Sequence, residues 1–429
     1  MDFPKAASFR NNNMKKIVFL LCLCATGLTA CRSPEDSIAV IWTNSTDFIT
    51  YCEAFNTAQD KYKITVSYKE NPAETLIASK EVPDAVVGPW LKGEDSRIKF
   101  AKIDGLLSDK KINPAIFYPS LLKLGNVNGK QYLLPVSFNL PTIIFSSVHK
   151  NLVETNFTLS LDDIKKLAAG YNRRQGNEYT RMGFSPRWDM NFLYATAQGL
   201  NASFEETPQF FSWNEQALRE VITYIRQWSQ EVNTSAAAED EFQFKYLYDP
   251  PYTLLNSGRC LFWYLPSNEF FSLQYEKLKT LDYRWMRFND KTPLQDTIIY
   301  AGICKKAKNR AAVEAFLLWF FNEETQKQLL ERAQKNNMII PSFGLAGGFS
   351  SLHSVTENIF PVYYPLLLKH LPQTDDFSAP HILPANWERI KKDILFPYLK
   401  EQTALPADSE NSAAPDLKKR IAEWQKKIR

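Results

Sequence analysis

The stretch "SIAVIWTNSTDFITYCEAFN", Ser37 to Asn56, decides the fold class. Ser37 to Trp42 is a nearly continuous apolar run, suited to a strand buried on both faces of a parallel sheet. The turn Thr43-Asn44-Ser45-Thr46 follows, with several side chains able to cap a helix. Phe48, Cys52 and Phe55 then recur at i, i+4 and i+7, one helical face. Working outward, "YKITVSYK" alternates Ile64, Val66 and Tyr68 with Thr65, Ser67 and Lys69, and "PDAVVGPW", Pro83 to Trp90, reads as another short strand. Strand, helix, strand is the βαβ unit of an α/β fold. Ligand crevices in such sheets lie beyond the carboxyl ends of the strands. That rule places Thr43, Asn44 and Gly88-Pro89-Trp90 where a ligand would be met.

Further along, Asn128-Gly129 is a turn signal between apolar runs. Tyr132 to Leu134 and Thr142 to Phe145 read as strands around a proline-bounded link, Pro135 to Pro141. The pattern from Leu159 to Tyr275 is mainly helical, with helices expected over Leu159–Gly170, Phe192–Leu200 and Asn214–Gln230. "GRCLFWYLPS" interrupts it as a strand, and "TIIYAGICKKA", Thr297 to Ala307, is strand-like again. One long helix is expected from Arg310 to about Ala333, and helical patches at Trp387–Lys400 and Leu417–Ile428. No repeat of fixed period is evident.

The N-terminal segment "MKKIVFLLCLCATGLTACRS" has another character. Lys15 and Lys16 precede an apolar run and small residues, the order of an export signal. Ile17 to Ala30 is shorter than the roughly 20 residues a membrane span needs. Leu28-Thr29-Ala30-Cys31 resembles the lipobox of bacterial lipoproteins, so residues 1–30 are expected to be an extension and signal peptide. Cys31 is expected to carry lipid, and residues 31–36 form its tether. Acyl chains there, palmitate among them, would hold the protein on a membrane surface. Four basic residues and one acid precede Cys31, so the formal charge of +4 falls to +1 for the mature chain. Near-neutrality gives no reason to expect a nucleic-acid partner. Cys52, Cys260 and Cys304 remain, an odd number that cannot all pair within one chain. Buried, reduced thiols are the simplest reading, although a single disulfide is permitted outside the cytoplasm.

Taken in order, "IAVIWTNSTDFITYCEAFN", "VPDAVVG", "NGKQYLLPVSFNLPTIIFS", "LSLDDIKKLA", "MGFSPRWDMNFLY", "LNSGRCLFW", "YAGICKKAKNRAAVEAFLLWFFNEETQKQLL" and "IIPS" resemble the family 1 extracellular solute-binding proteins of ABC importers, the maltose-binding-protein-like group. The resemblance implies a two-lobed periplasmic-binding-protein fold with hinge strands and an interlobe cleft. It divides the chain into residues 37–140 plus 301–342 and residues 141–300 plus 343–429. It implies a substrate-binding lipoprotein that passes a small solute, carbohydrate above all, to permease subunits from the extracytoplasmic face of the membrane. A monomer without cofactor or metal is expected. A ligand-sensing or adhesin role on the same fold is the alternative. Two departures bear on the ligand: Phe145-Ser146-Ser147 replaces a Tyr-Asn pair, and "WYLPSNEF" replaces a glycine-rich segment.

A sugar needs flat apolar faces and directed hydrogen bonds, which aromatic residues and Asp, Asn or Gln supply. The resemblance therefore nominates Thr43, Asn44, Trp90, Asn139, Trp188, Asp189, Tyr264, Asn268 and Tyr300. Each has a structural alternative: lobe packing for Trp90, a turn for Asn139, a helix cap for Asp189. Alternation puts only one of Trp263 and Tyr264 inward. Asp84 is expected to be structural and Arg287 a surface charge. No catalytic motif is present: the four histidines are scattered, and there is no G-x-S-x-G, H-E-x-x-H or Walker A pattern. No enzyme activity is expected.

Overall fold

The computed structural model describes residues 38–154, 157–336, 342–372, 374–407, 409 and 413–428. The expected export segment and Cys31 lie outside them, as does most of "IIPS". In chain order the principal elements are β1 (Ile38–Thr43), α1 (Asp47–Ala58), β2 (Lys63–Tyr68), β3 (Ala85–Gly88), β4 (Leu134–Phe138), β5 (Pro141–Ser146), β6 (Thr158–Ser160), α2 (Leu161–Tyr171), α3 (Met190–Gly199), α4 (Glu215–Asn233), α5 (Ala236–Lys245), β7 (Trp263–Pro266), β8 (Leu281–Arg287), β9 (Ile299–Ile303), α6 (Arg310–Phe320), α7 (Glu323–Asn336) and β10 (Phe349–Ser350). No helix among the described residues is long and apolar enough to cross a membrane.

Two sheets organise these elements. The larger has the order β10-β4-β9-β3-β1-β2 and the smaller β7-β5-β8-β6. β1 and β3 run parallel, Ile41 opposite Ala85 and Thr43 opposite Val87. This is the βαβ arrangement expected from Ser37–Trp90, and its apolar strands are buried accordingly. The smaller sheet is mostly antiparallel, with β5 between β7 and β8. The result is the mixed α/β, two-lobed fold of periplasmic binding proteins.

Only Asn139 and Leu140 separate β4 from β5, so the chain steps from one sheet to the other in two residues. The expected link of Pro135 to Pro141 is thus too long. Pro135 lies inside β4, although it has no N–H to give the ladder. The pairing with β9 shifts there: Ile299 faces Ser137 while Tyr300 faces Pro135. The skipped Val136 is a bulge, the kind of irregularity that admits proline into a sheet. Phe349 and Ser350 also depart from expectation. They pair with Phe138 and Ser137 in the larger sheet, not with the second lobe.

The expected helix from Arg310 to Ala333 is two helices. They break at Phe321-Asn322, where the Asn322 side chain accepts the Thr325 N–H at 3.1 Å. Asn322 competes with the backbone as an N-cap, and the apolar stripe alone does not reveal that. Ser160 and Asp163 form a reciprocal capping box at the start of α2. Asn128 and Gly129 both have positive φ, at 51° and 72°, in a two-residue hairpin turn. Asp84 is structural. Its carboxylate accepts the N–H groups of Val40 at 2.9 Å and Asn309 at 2.7 Å, tying β1 to the start of α6.

Aromatic rings fill much of the core. Phe48, Tyr51 and Phe55 of α1 meet Phe316 and Phe320 of α6. Each such ring contributes roughly 1.5–3 kcal/mol when fully buried. Cys52, Cys260 and Cys304 are free and buried. Burial pushes the Cys52 and Cys304 thiols up to about 12, so they stay protonated and inert at neutral pH.

Candidate functional site

A cavity of about 470 Å³ opens beside the segment that joins β8 to β9. Tyr194 and Gln198 of α3 form one wall, Tyr264 and Asn268 of the β7 region another. Phe288, Gln295 and Asp296 of the joining segment and Glu388 and Lys391 of the C-terminal helices complete it. Three aromatic rings and several amide and carboxylate groups therefore converge on one space. Gln295 Nε2 donates to the Tyr264 hydroxyl at 3.4 Å. Asn268 Oδ1 is buried and has no hydrogen-bond partner among the described residues. A buried acceptor left unpaired is costly, and a donor on a ligand would satisfy it.

Asp296 is the hub. Its Oδ2 accepts from the Tyr194 hydroxyl at 2.7 Å and from the Trp387 indole N–H at 3.2 Å. Its Oδ1 faces the Lys391 ammonium at 3.4 Å. Trp387 also donates to the Tyr194 oxygen at 3.0 Å. Burial, and then the charge on Asp296, raise the Tyr194 hydroxyl far above its ordinary value, so it remains a donor. Lys391 bonds Glu388 at 3.0 Å as well. Burial opposes its charge, but Asp296 and Glu388 outweigh burial and raise its pKa.

Across from this hub lies the turn after β3. Trp90 has φ 63°, an unusual conformation for a non-glycine residue. Its carbonyl and those of Leu91 and Gly93 accept from the buried Ser96 hydroxyl, which holds the turn. The Lys391 ammonium lies 5.1 Å from the Trp90 ring centre. Lys92 is only 4 % exposed, and its ammonium lies 5.2 Å from the Tyr300 ring centre. Burial lowers Lys92 to about 8, with Asp296 pulling the other way. The backbone N–H of Glu94 donates to the Glu206 carboxylate at 2.8 Å, and Glu74 pairs with Arg389 at 3.0 Å. The Glu206 contact holds the start of the segment after the turn.

The nominated residues fall into four groups. Tyr264 and Asn268 line the cavity. Trp90 and Tyr300 gather around the two lysines, the Tyr300 hydroxyl donating to the Leu121 carbonyl at 2.8 Å. Asn139 bridges the sheets: its Nδ2 donates to the Gly347 carbonyl at 2.9 Å and its Oδ1 accepts from Ser267 at 2.8 Å. The others lie apart from the cavity. Thr43 is fully buried, its hydroxyl accepting the Ser45 N–H at 3.0 Å, and Asn44 lies half-buried near Gly88. Trp188 is stacked on both faces, against Phe242 and Trp263, and donates to the Glu239 carbonyl. Asp189 caps α3 through the N–H groups of Asn191 and Phe192. Burial raises its carboxyl, and those N–H groups partly offset that. Arg287 pairs with its neighbour Asp290 on the surface.

Sequence reading missed Lys92, Tyr194, Asp296, Trp387 and Lys391. One signal was available for Lys391. It falls four residues after Trp387 and four before Leu395, on an apolar helical stripe where a lysine is out of place.

The family model described as bacterial extracellular solute-binding protein matches residues 50–342, more than half of the chain. Solved structures share the fold. The sugar-binding protein MalE of Xanthomonas citri superposes with a TM-score of 0.66 at 12% identity, over 91% of this chain and 98% of that one. The cyclic alpha-maltosyl-1,6-maltose binding protein of Arthrobacter globiformis gives 0.60 at 15% identity, over 90% and 98%. The maltose-maltodextrin binding protein of Alicyclobacillus acidocaldarius gives 0.57 at 17%, over 90% and 100%. No curated protein matches the sequence.

Proposed function

The chain belongs to the bacterial extracellular solute-binding proteins, and on that premise we propose that it captures a sugar or oligosaccharide and delivers it to the permease of an ABC importer. Lipid on Cys31 would hold it at the extracytoplasmic face of the membrane. The observation that carries the ligand class is the cavity. Its volume of about 470 Å³ falls within the range of small-molecule sites. Tyr194, Tyr264 and Phe288 offer apolar faces for C–H groups, while Gln198, Asn268 and Gln295 offer amides for hydroxyls. The solved neighbours named for maltose or maltodextrins support the same class. Three carboxylates line the cavity, and two of them are engaged within the chain: Asp296 by Tyr194, Trp387 and Lys391, and Glu388 by lysines, while Glu269 is exposed. That arrangement suits binding rather than catalysis.

A thermal-unfolding screen against mono- and oligosaccharides, phosphoesters and peptides tests the reading. A ligand at 100 times its dissociation constant adds about 2.7 kcal/mol of stability. The expected hit is a sugar, and Asn268→Ala should weaken it about tenfold by removing one buried acceptor. A hit confined to peptides or phosphoesters would sink the sugar reading.

A further inference from the structure

We propose that Asn139 is a positioning residue that couples the ligand cavity to the hinge between the two sheets. The inference rests on the cavity being the capture site and deepens that reading. Asn139 is 9 % exposed and does not line the cavity. It is one of the two residues that join β4 of the larger sheet to β5 of the smaller. Both ends of its amide are engaged, one toward each sheet. Toward the smaller sheet, Oδ1 accepts from the Ser267 hydroxyl at 2.8 Å. Ser267 is wholly buried and opens the short helix Ser267–Phe271 directly after β7. Its oxygen accepts the Leu140 N–H at 3.0 Å, and its own N–H donates to the Leu140 carbonyl at 2.9 Å. The next residue is Asn268, whose buried, unpartnered oxygen belongs to the cavity wall. The Asn139 carbonyl also accepts the N–H of Gln295, a second cavity residue, at 2.9 Å.

Toward the larger sheet, Asn139 Nδ2 donates to the Gly347 carbonyl at 2.9 Å. Gly347 stands in the turn before β10, where Ala346 and Gly347 have φ of 49° and 72°. The turn lies tightly on the crossing: a Cβ on Gly348 would meet the Phe138 carbonyl oxygen at 2.6 Å and Asn139 Nδ2 at 3.0 Å. Two residues span at most about 7 Å, so the crossing has little slack. Rotation of one sheet against the other must be absorbed by the torsions of a few such residues. A ligand that bonds Asn268 acts one residue from Ser267, and one that bonds Gln295 acts one N–H from Asn139. Either displacement reaches Gly347 through a single side chain. The two ends of the amide thereby make one contiguous path from the cavity wall to the larger sheet.

Amide hydrogen exchange on the intact, ligand-free protein tests the coupling from each side. Ser267→Ala removes the contact on the smaller sheet. The amides of Leu345 and Gly348, which bond each other's carbonyls across the turn, should then exchange about tenfold faster, as for the loss of one hydrogen bond. Asn139→Asp keeps an acceptor for Ser267 but sets an oxygen against the Gly347 carbonyl. The amides of Ser267 and Gln295 should then speed up by a similar factor. With Asn139→Ala already in place, adding Ser267→Ala should change the turn no further. Acceleration confined to the mutated side overturns the inference and leaves the cavity as the capture site. So does an effect of Ser267→Ala on the turn that is equal with and without Asn139. The exchange rates do not depend on which solute binds, so failure of the sugar reading would show in the ligand screen and not here.

Discussion

Two buried charge groups in this molecule invite comparison. In the second lobe, Arg187 of the segment before α3 faces Glu239 of α5 at 3.3 Å and Asp240 at 3.1 Å. Around it, Ser229 and Asn233 donate to Glu239 at 3.0 and 2.7 Å, and Arg187 also donates to the Ala236 carbonyl. Glu239 is wholly buried and accepts from Arg187, Ser229 and Asn233, with Ser185 a further donor. At the cleft, Lys92 is almost as deeply buried but has only a ring face and the distant pull of Asp296. Among the described residues the first group compensates its charges with two carboxylates on Arg187, although the buried Arg187 Nε has no hydrogen-bond partner, whereas Lys92 meets no carboxylate within ion-pair distance. Compensated networks hold a fold together.

The largest effect should come from breaking the Arg187 group. Glu239→Ala leaves Arg187 with one half-exposed carboxylate and strands the donors of Ser229 and Asn233. Removing one partner of a buried pair costs about 3–5 kcal/mol. Urea unfolding should show that loss as a lower midpoint with an unchanged slope. A loss below about 1 kcal/mol would mean that Asp240 alone suffices for Arg187, and the two groups would no longer differ in kind.

Lys92→Met should act in the opposite direction. The folded pKa of Lys92 lies near 8, below the 10.5 of a free lysine. The unfolded chain therefore binds the extra proton between those values, and folding stability rises with pH across that window. Below pH 8 the full cost is present, on the order of 3 kcal/mol. Above about 10.5 it is gone. The variant should be the more stable protein at pH 7, and its advantage should fade as pH climbs from 8 to 10.5. Stability curves for the two proteins that stay parallel across that range would show that Lys92 has a full set of partners after all.

The sequence carried the outer frame well and the hub poorly, for physical reasons. Ser37 to Trp90 announces its strands and helix because buried strands are continuously apolar and the helix keeps one face. Asp189 illustrates the ambiguity of a polar residue before a helix: the same position serves a cap or a ligand, and here its carboxylate caps α3. Trp188 shows the parallel ambiguity of aromatic residues, since its two faces are spent on Phe242 and Trp263. The hub was hidden because it is assembled from distant segments. Tyr194 and Asp296 stand 102 residues apart and Trp387 another 91 from Asp296. No periodicity links such positions, and only the topology of the two sheets brings them together. Asn139 was legible from its place between Pro135 and Pro141, although its contacts with Gly347 and Ser267 were not.

The smallest expected effect sharpens the comparison most, because it probes the cleft group from its satisfied side. Tyr194→Phe deletes a hydroxyl that donates to Asp296 at 2.7 Å and accepts from Trp387 and Gln198 at 3.0 and 3.1 Å. Asp296 keeps the Trp387 N–H and the Lys391 ammonium, so its charge stays compensated. Gln198 faces the cavity, where water can replace the lost acceptor. The loss should be one charge-assisted hydrogen bond, about 1.5–3 kcal/mol at most and smaller than for Glu239→Ala. Denaturant midpoints of the two variants measured side by side decide the matter. If Tyr194→Phe costs as much as Glu239→Ala, the cleft group is as integral to the fold as the Arg187 network, and the two do not differ in kind. If it costs less while weakening sugar binding, the cleft group belongs to the ligand.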